Sequence, residues 1–194
     1  MREAVKSLAS LGLLEVRQGV GTIVSPGSTT LEDPSYWLPW LTAHRTDVVA
    51  LLEVREALEA KSAALAAQAV AGRTPGSEEL VAQVDENLRQ MMQAAQHLDL
   101  TTLERLDLEF HALLGELSGN RHLLKLSKSI NHVFADRRAA MSIPGRARQS
   151  CLEHAGIVAA VREGKPAAAS EAMTAHLSST RSSVAKLDEK EGGR

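Results

Sequence analysis

From Asp47 onward, apolar residues recur every three or four positions, the spacing of a helix with one buried face. Chain breakers divide this run into six predicted helices, near 47–71, 77–97, 101–118, 121–142, 148–163 and 166–186. "GRTPGS" separates the first two. Thr101 with Glu104 reads as a capping box that opens the third. Gly119-Asn120 closes it, "IPG" breaks the fourth, and Gly164 with Pro166 punctuates the last pair. Connections this short make neighbouring helices antiparallel, so the pattern predicts an all-α bundle of six or seven helices. Ahead of Asp47 the rhythm changes. Residues 1–11, "MREAVKSLASL", carry apolar positions at helical spacing. Residues 13–24 are two β-prone runs around a "QGVG" turn holding Gly19 and Gly21, which predicts a hairpin. Residues 25–46 are rich in Pro, Ser and Thr and read as a linker. Within it, Trp37, Leu38, Trp40 and Leu41 either dock and bury the linker or offer a stacking surface to a ligand. The division expected is a small unit at 1–24, the linker at 25–46, the bundle at 47–186 and a flexible charged tail at 187–194.

Composition agrees with packed helices. Only 3% of the 194 residues are aromatic and 44% are hydrophobic, whereas strands select β-branched and aromatic side chains. The net charge of −2 gives no global sign of a polyanion binder. The single cysteine, Cys151, excludes a disulfide framework, reads as a small buried thiol and fits a reducing cytoplasm. No apolar run approaches the roughly 20 residues that span a bilayer, so no membrane role is expected.

The informative positions are polar residues on apolar stripes. In the third helix Leu103, Leu106, Phe110, Leu113, Leu114 and Leu117 mark the core, and Asp107 and His111 sit one step around, four residues apart. His154 lies on the stripe of the fifth helix with Ile157, Val158 and Val161. His176 lies on that of the sixth with Met173 and Leu177. Unpaired buried charges are costly, so these groups must find one another or an ion. One carboxylate and three imidazoles make an N₃O set suited to a divalent ion such as Zn²⁺, Ni²⁺, Fe²⁺ or Mn²⁺. Arg55 falls among the apolar residues of the first bundle helix. It either pairs with Glu59 four residues on or faces the metal and clamps a carboxylate ligand with its planar fork. Glu109 and Glu153 read as exposed or flanking. His44, His97, His122 and His132 fit no shared stripe and read as surface or structural.

These segments resemble the GntR family of bacterial transcription regulators, in the FadR subfamily whose ligand domain is called FCD. "MREAVKSLASLGLLEVRQGVGTIV" resembles the recognition helix and wing of a winged helix-turn-helix, "LLEVREALEAKSAALAA" the opening of the ligand domain, and "DLEFHALLGELSGN" and "EHAGIVAAVREGKPAAASEAMTAHL" its metal motifs. The resemblance implies that Asp107, His111, His154 and His176 hold the metal, and that a small organic acid completes its coordination near Arg55. It also implies a homodimer that binds palindromic double-stranded operator DNA. Arg2 and the wing glycines Gly19 and Gly21 are then the expected DNA contacts. Lys165 stands where the family often has an Asp capping the last helix. Met1 falls inside the recognition helix, so the chain begins in mid-domain. A GTG valine codon taken for a start accounts for this, and a sensor that has lost its DNA reader is the alternative. A recognition helix without its supporting helices binds DNA poorly. The rival function is a metal enzyme acting on a small organic acid. A helical dimer with neither metal nor ligand is the blander one.

Overall fold

The computed structural model describes residues 14–17, 19–24, 48–133 and 145–192. The predicted helix at 1–11, Arg2, the linker with Trp37 and Trp40, His44 and the end of the predicted fourth helix at 134–142 lie outside the described residues. The chain divides into two compact units, Met1–Thr46 and Asp47–Arg194.

In the first unit, β1 (Leu14–Arg17) and β2 (Gly21–Val24) pair antiparallel, with Leu14 opposite Val24 and Arg17 opposite Gly21. The amide of Val20 donates to the carbonyl of Arg17 at 3.1 Å and closes the turn. Gly19 at φ 80° and Gly21 at φ 112° supply backbone angles that L side chains resist. The predicted hairpin is therefore present.

Among the described residues, the second unit holds six helices: α1 (Val48–Ala71), α2 (Ser77–His97), α3 (Leu100–Leu117), α4 (Arg121–Val133), α5 (Arg146–Arg162) and α6 (Pro166–Gly192). The all-α expectation holds. α1 is the axle: it packs against α3, α4, α5 and most extensively α6, while α2 covers α3 and α5. Its inner face is made small by Ala63, Ala66 and Ala67, all fully buried, which lets the neighbours approach closely. Phe110, Leu103, Leu106 and Leu114 of α3, Ile157 and Val161 of α5, and Met173 and Leu177 of α6 complete one continuous core.

Two helix boundaries correct the sequence reading. Asp99 rather than Thr101 caps α3, its Oδ1 accepting from the Thr102 amide at 3.1 Å. A carboxylate three residues ahead of that amide satisfies it directly, so the helix starts earlier than the capping-box pattern places it. α6 runs to Gly192, past the predicted end at 186, because no breaker precedes Gly192.

The α5–α6 connection is closely packed against α1. Gly164 adopts φ 61°, its amide bonds to Val161 O, and the Lys165 amide bonds to Ala160 O, a Schellman closure. A Cβ added at Gly164 would lie 2.9 Å from Ala71 Cβ and 3.2 Å from Ala71 Cα. Left-handed strain and a backbone clash then act together, and Gly164→Ala should destabilise the bundle by about 2–4 kcal/mol. Urea unfolding followed by circular dichroism measures it; a loss within experimental error would mean that α1 and α5 can separate at no cost.

Candidate metal centre

Three helices deliver four buried side chains to one point. Asp107 and His111 come from successive turns of α3, His154 from α5 and His176 from α6, and one ligand atom from each lies within 4.8 Å of all the others. Each sits on its helix's core stripe for the reason read from the sequence. Phe110, between the two α3 residues, stacks on the His154 ring at a centroid separation of 4.2 Å and holds it in plane.

The four satisfy one another only in part. Asp107 Oδ1 stands 3.6 Å from His154 Nε2 and 3.9 Å from His111 Nε2, beyond good hydrogen bonds. His154 Nε2 and His176 Nε2 face each other at 3.1 Å. Among the described residues, His111 Nε2 and His154 Nδ1 are buried without a hydrogen-bond partner. Ligand atoms on a metal with bonds near 2.0–2.2 Å lie roughly 3–4 Å apart. The spacing therefore fits an ion after a small contraction, and an ion would also engage the His111 Nε2 lone pair that has no partner.

A surrounding layer fixes which ring nitrogens carry protons. His176 Nδ1 meets Glu153 Oε2 at 2.8 Å, and His111 Nδ1 lies against Glu59 Oε2. A carboxylate only accepts, so both Nδ1 atoms donate and both Nε2 lone pairs point into the cluster. Burial drives His154 well below its ordinary pKa, and the neighbouring imidazoles and guanidiniums add to this. Burial also lowers His176, against the opposing pull of Glu153. Neutral imidazoles are the form a metal requires.

Glu153 was read from the sequence as flanking or exposed. Instead its side chain is 15% exposed and tied at both ends. Arg146 Nη1 donates to both of its oxygens at 2.9 and 3.0 Å and to Ser179 Oγ, while Nη2 donates to Thr180 Oγ1. Burial raises the Glu153 carboxyl, but the His176 bond and the Arg146 charge outweigh it and bring it down to about 2. Adjacency to His154 was the one available hint; Arg146 gave none, since it reaches Glu153 seven residues on along α5 and its other partners, Ser179 and Thr180, lie on α6. Arg55, left between two readings, does pair with Glu59: Nε to Oε1 is 2.9 Å, and Asn131 Nδ2 of α4 donates to the same oxygen at 3.0 Å. Its charge is also felt at His154 and His176, so pairing does not remove it from the cluster.

The other sequence candidates separate from this centre. Gly19 and Gly21 are exposed at the hairpin turn of the first unit. His97 and His122 are exposed, and His132 lies in α4. Cys151 is buried, as expected. Burial and the charge of Asp107 push its thiol up to about 11. At pH 8 the folded chain should react with iodoacetamide at least about 100-fold more slowly than the unfolded chain, because thiolate is the reactive form. Equal rates, followed by mass spectrometry, would show that the bundle opens readily around α5.

Comparison with known proteins bears on the whole arrangement. An FCD domain profile matches residues 50–179. The HTH-type transcriptional regulator LutR of Bacillus subtilis is 32% identical over 184 residues, covering 91% of this chain and 80% of that protein. An Escherichia coli K12 protein named for regulation of an L-lactate dehydrogenase operon is 27% identical, covering 97% of this chain and 72% of its own length. The structure of Streptococcus agalactiae GntR matches with a TM-score of 0.65 at 30% identity, over 94% of this chain and 80% of that one. Escherichia coli McbR/YncC shares the fold, with a TM-score of 0.64 at 16% identity over 96% of this chain and 84% of that one.

Proposed function

We propose, on the premise that the chain belongs to the FCD branch of the GntR family of transcription regulators, that its bundle is a metal-dependent sensor of a small carboxylate. The observation that carries this is the convergence of four buried ligand atoms within 4.8 Å, with Nε2 lone pairs of His111 and His176 aimed inward. Asp107, His111, His154 and His176 would hold a divalent ion, with Zn²⁺, Ni²⁺, Fe²⁺ and Mn²⁺ the candidates. When bound, the ion supplies a Lewis-acid anchor for a carboxylate oxygen. Arg55 presents a guanidinium to the same acid and Glu59 orients it. Glu153, braced by Arg146, holds the His176 ring. The lactate-operon name of one relative supports a carboxylate effector. The similar proteins are transcription regulators rather than enzymes.

Regulation then requires that the acid bind two arrangements of the protein with different affinity. We place operator contacts at Arg2 and at the wing around Gly19 and Gly21, in a cytoplasmic homodimer. Metal content decides the reading. After equilibration with excess Zn²⁺ and gel filtration, plasma mass spectrometry should find about one ion per chain in the native protein and far less in Asp107→Ala and His154→Ala. A substoichiometric native protein that added metal does not fill overturns the sensor.

A further inference from the structure

Among the described residues, the buried Asp, Glu, Lys and Arg residues of the bundle are Arg55, Glu59, Asp107 and Arg146. All four belong to the metal centre or to the layer around it, and Glu153 joins them by bridging Arg146 and His176. Two guanidiniums against three carboxylates leave one net negative charge. The three imidazoles add none when they serve as ligands. A divalent ion turns the balance into one net positive charge. A low-dielectric interior penalises any charge left over, in either sign.

We propose that the metal-loaded site selects acids bearing one negative charge and excludes dicarboxylates of similar size. This inference rests on the sensor reading above and adds the class of acid. One carboxylate brings the buried network to neutrality. A second leaves an anion enclosed with Glu59, Asp107 and Glu153 and, among the described residues of the cluster, no cation free to meet it, because Arg146 already donates to Glu153, Ser179 and Thr180 and Arg55 is shared with Glu59. Without metal the network is negative before any acid arrives, so acid binding should require the ion.

The test is isothermal titration of the zinc-loaded full chain with lactate and acetate against malonate and malate. Malonate chelates divalent ions in water better than acetate does, so its rejection would report the site rather than the metal. The expected result is tighter binding of the monocarboxylates, on the order of 100-fold, and no binding of either class to the metal-free chain. Glu153→Gln and Glu59→Gln each remove one negative charge from opposite sides of the cluster. Both should shift the monocarboxylate-to-dicarboxylate ratio toward the dicarboxylate by about ten-fold or more. Reading the ratio cancels a general loss of affinity, and the wild-type ratio decides alone if a variant fails to hold zinc. Malonate or malate binding as tightly as lactate, or a ratio that neither variant moves, overturns the charge-selection inference and leaves the sensor standing. Failure of every acid to bind the zinc-loaded chain overturns both.

Discussion

Stripping divalent metal from the native protein should lower its melting temperature by roughly 8–15 °C, and returning zinc should restore it. Stabilisation by a ligand that binds only the folded state is about 3–4 kcal/mol at 100 to 1,000 times its Kd. A chain of this size shifts by roughly 2–4 °C per kcal/mol. The physical source is local. Removal of the ion leaves His111 Nε2 without a hydrogen-bond partner and Asp107 without a short partner among the imidazoles, both buried. Replacing His154 with Gln should abolish the response to metal, because α5 then offers no imidazole to join α3 and α6. Scanning calorimetry with and without chelator makes the measurement. A native melting temperature indifferent to both chelator and zinc would mean that the four side chains are a self-contained polar core.

Arg55→Met should be the most damaging single substitution outside the ligands, costing about 3–5 kcal/mol, because it leaves Glu59 ionised and enclosed. The side chains concerned are 7% and 2% exposed, so solvent does little to screen the loss. Glu59→Gln in the same chain should recover most of it, since an amide can still meet Asn131 and His111. Chemical unfolding of the single and double variants measures the coupling. Equal losses in the two would show that Arg55 acts through packing alone. Acidity provides a second signature. Burial raises the Glu59 carboxyl, but Arg55 and His111 more than reverse this and hold it far below its ordinary value of 4.5. A depressed folded pKa contributes stability that is complete above the unfolded value and is lost as pH falls toward the folded one. In chelator, the wild type should therefore lose more stability than Arg55→Met between roughly pH 5 and pH 3.

Much of this cluster was legible in the sequence because its four converging residues break a rule that the rest of the chain obeys. Asp107, His111, His154 and His176 are polar residues on stripes otherwise made of Leu, Ile, Val, Phe and Met, and helical periodicity alone places them inside. Glu153 was misjudged for the opposite reason. It sits one position off its stripe, where a carboxylate ordinarily meets water, and only the docking of α6 encloses it. Arg146 follows a Gly-ended break and finds partners 33 and 34 positions away; no local pattern encodes such pairings. Asn131 likewise reaches back 72 positions to Glu59. Helix starts fared as local chemistry permits: Asp99 and Thr101 both suit a cap, and the amide that each can reach decides between them.

The packing of α1 against α6 also has a consequence for how the protein is made. Synthesis delivers α1 first and α6 last, so the surface that α6 covers stays bare while more than a hundred later residues emerge. His176 is among the last of them. The nascent bundle can neither close nor bring the four residues of the proposed metal centre together until α6 clears the ribosome, and contacts between distant segments form slowly. An arrested or prematurely ended chain would carry Asp107, His111 and His154 without the histidine that completes the set. Loading the ion would then mark a bundle made to its last helix, and exposed α1 surface a fragment fit for chaperone capture or proteolysis.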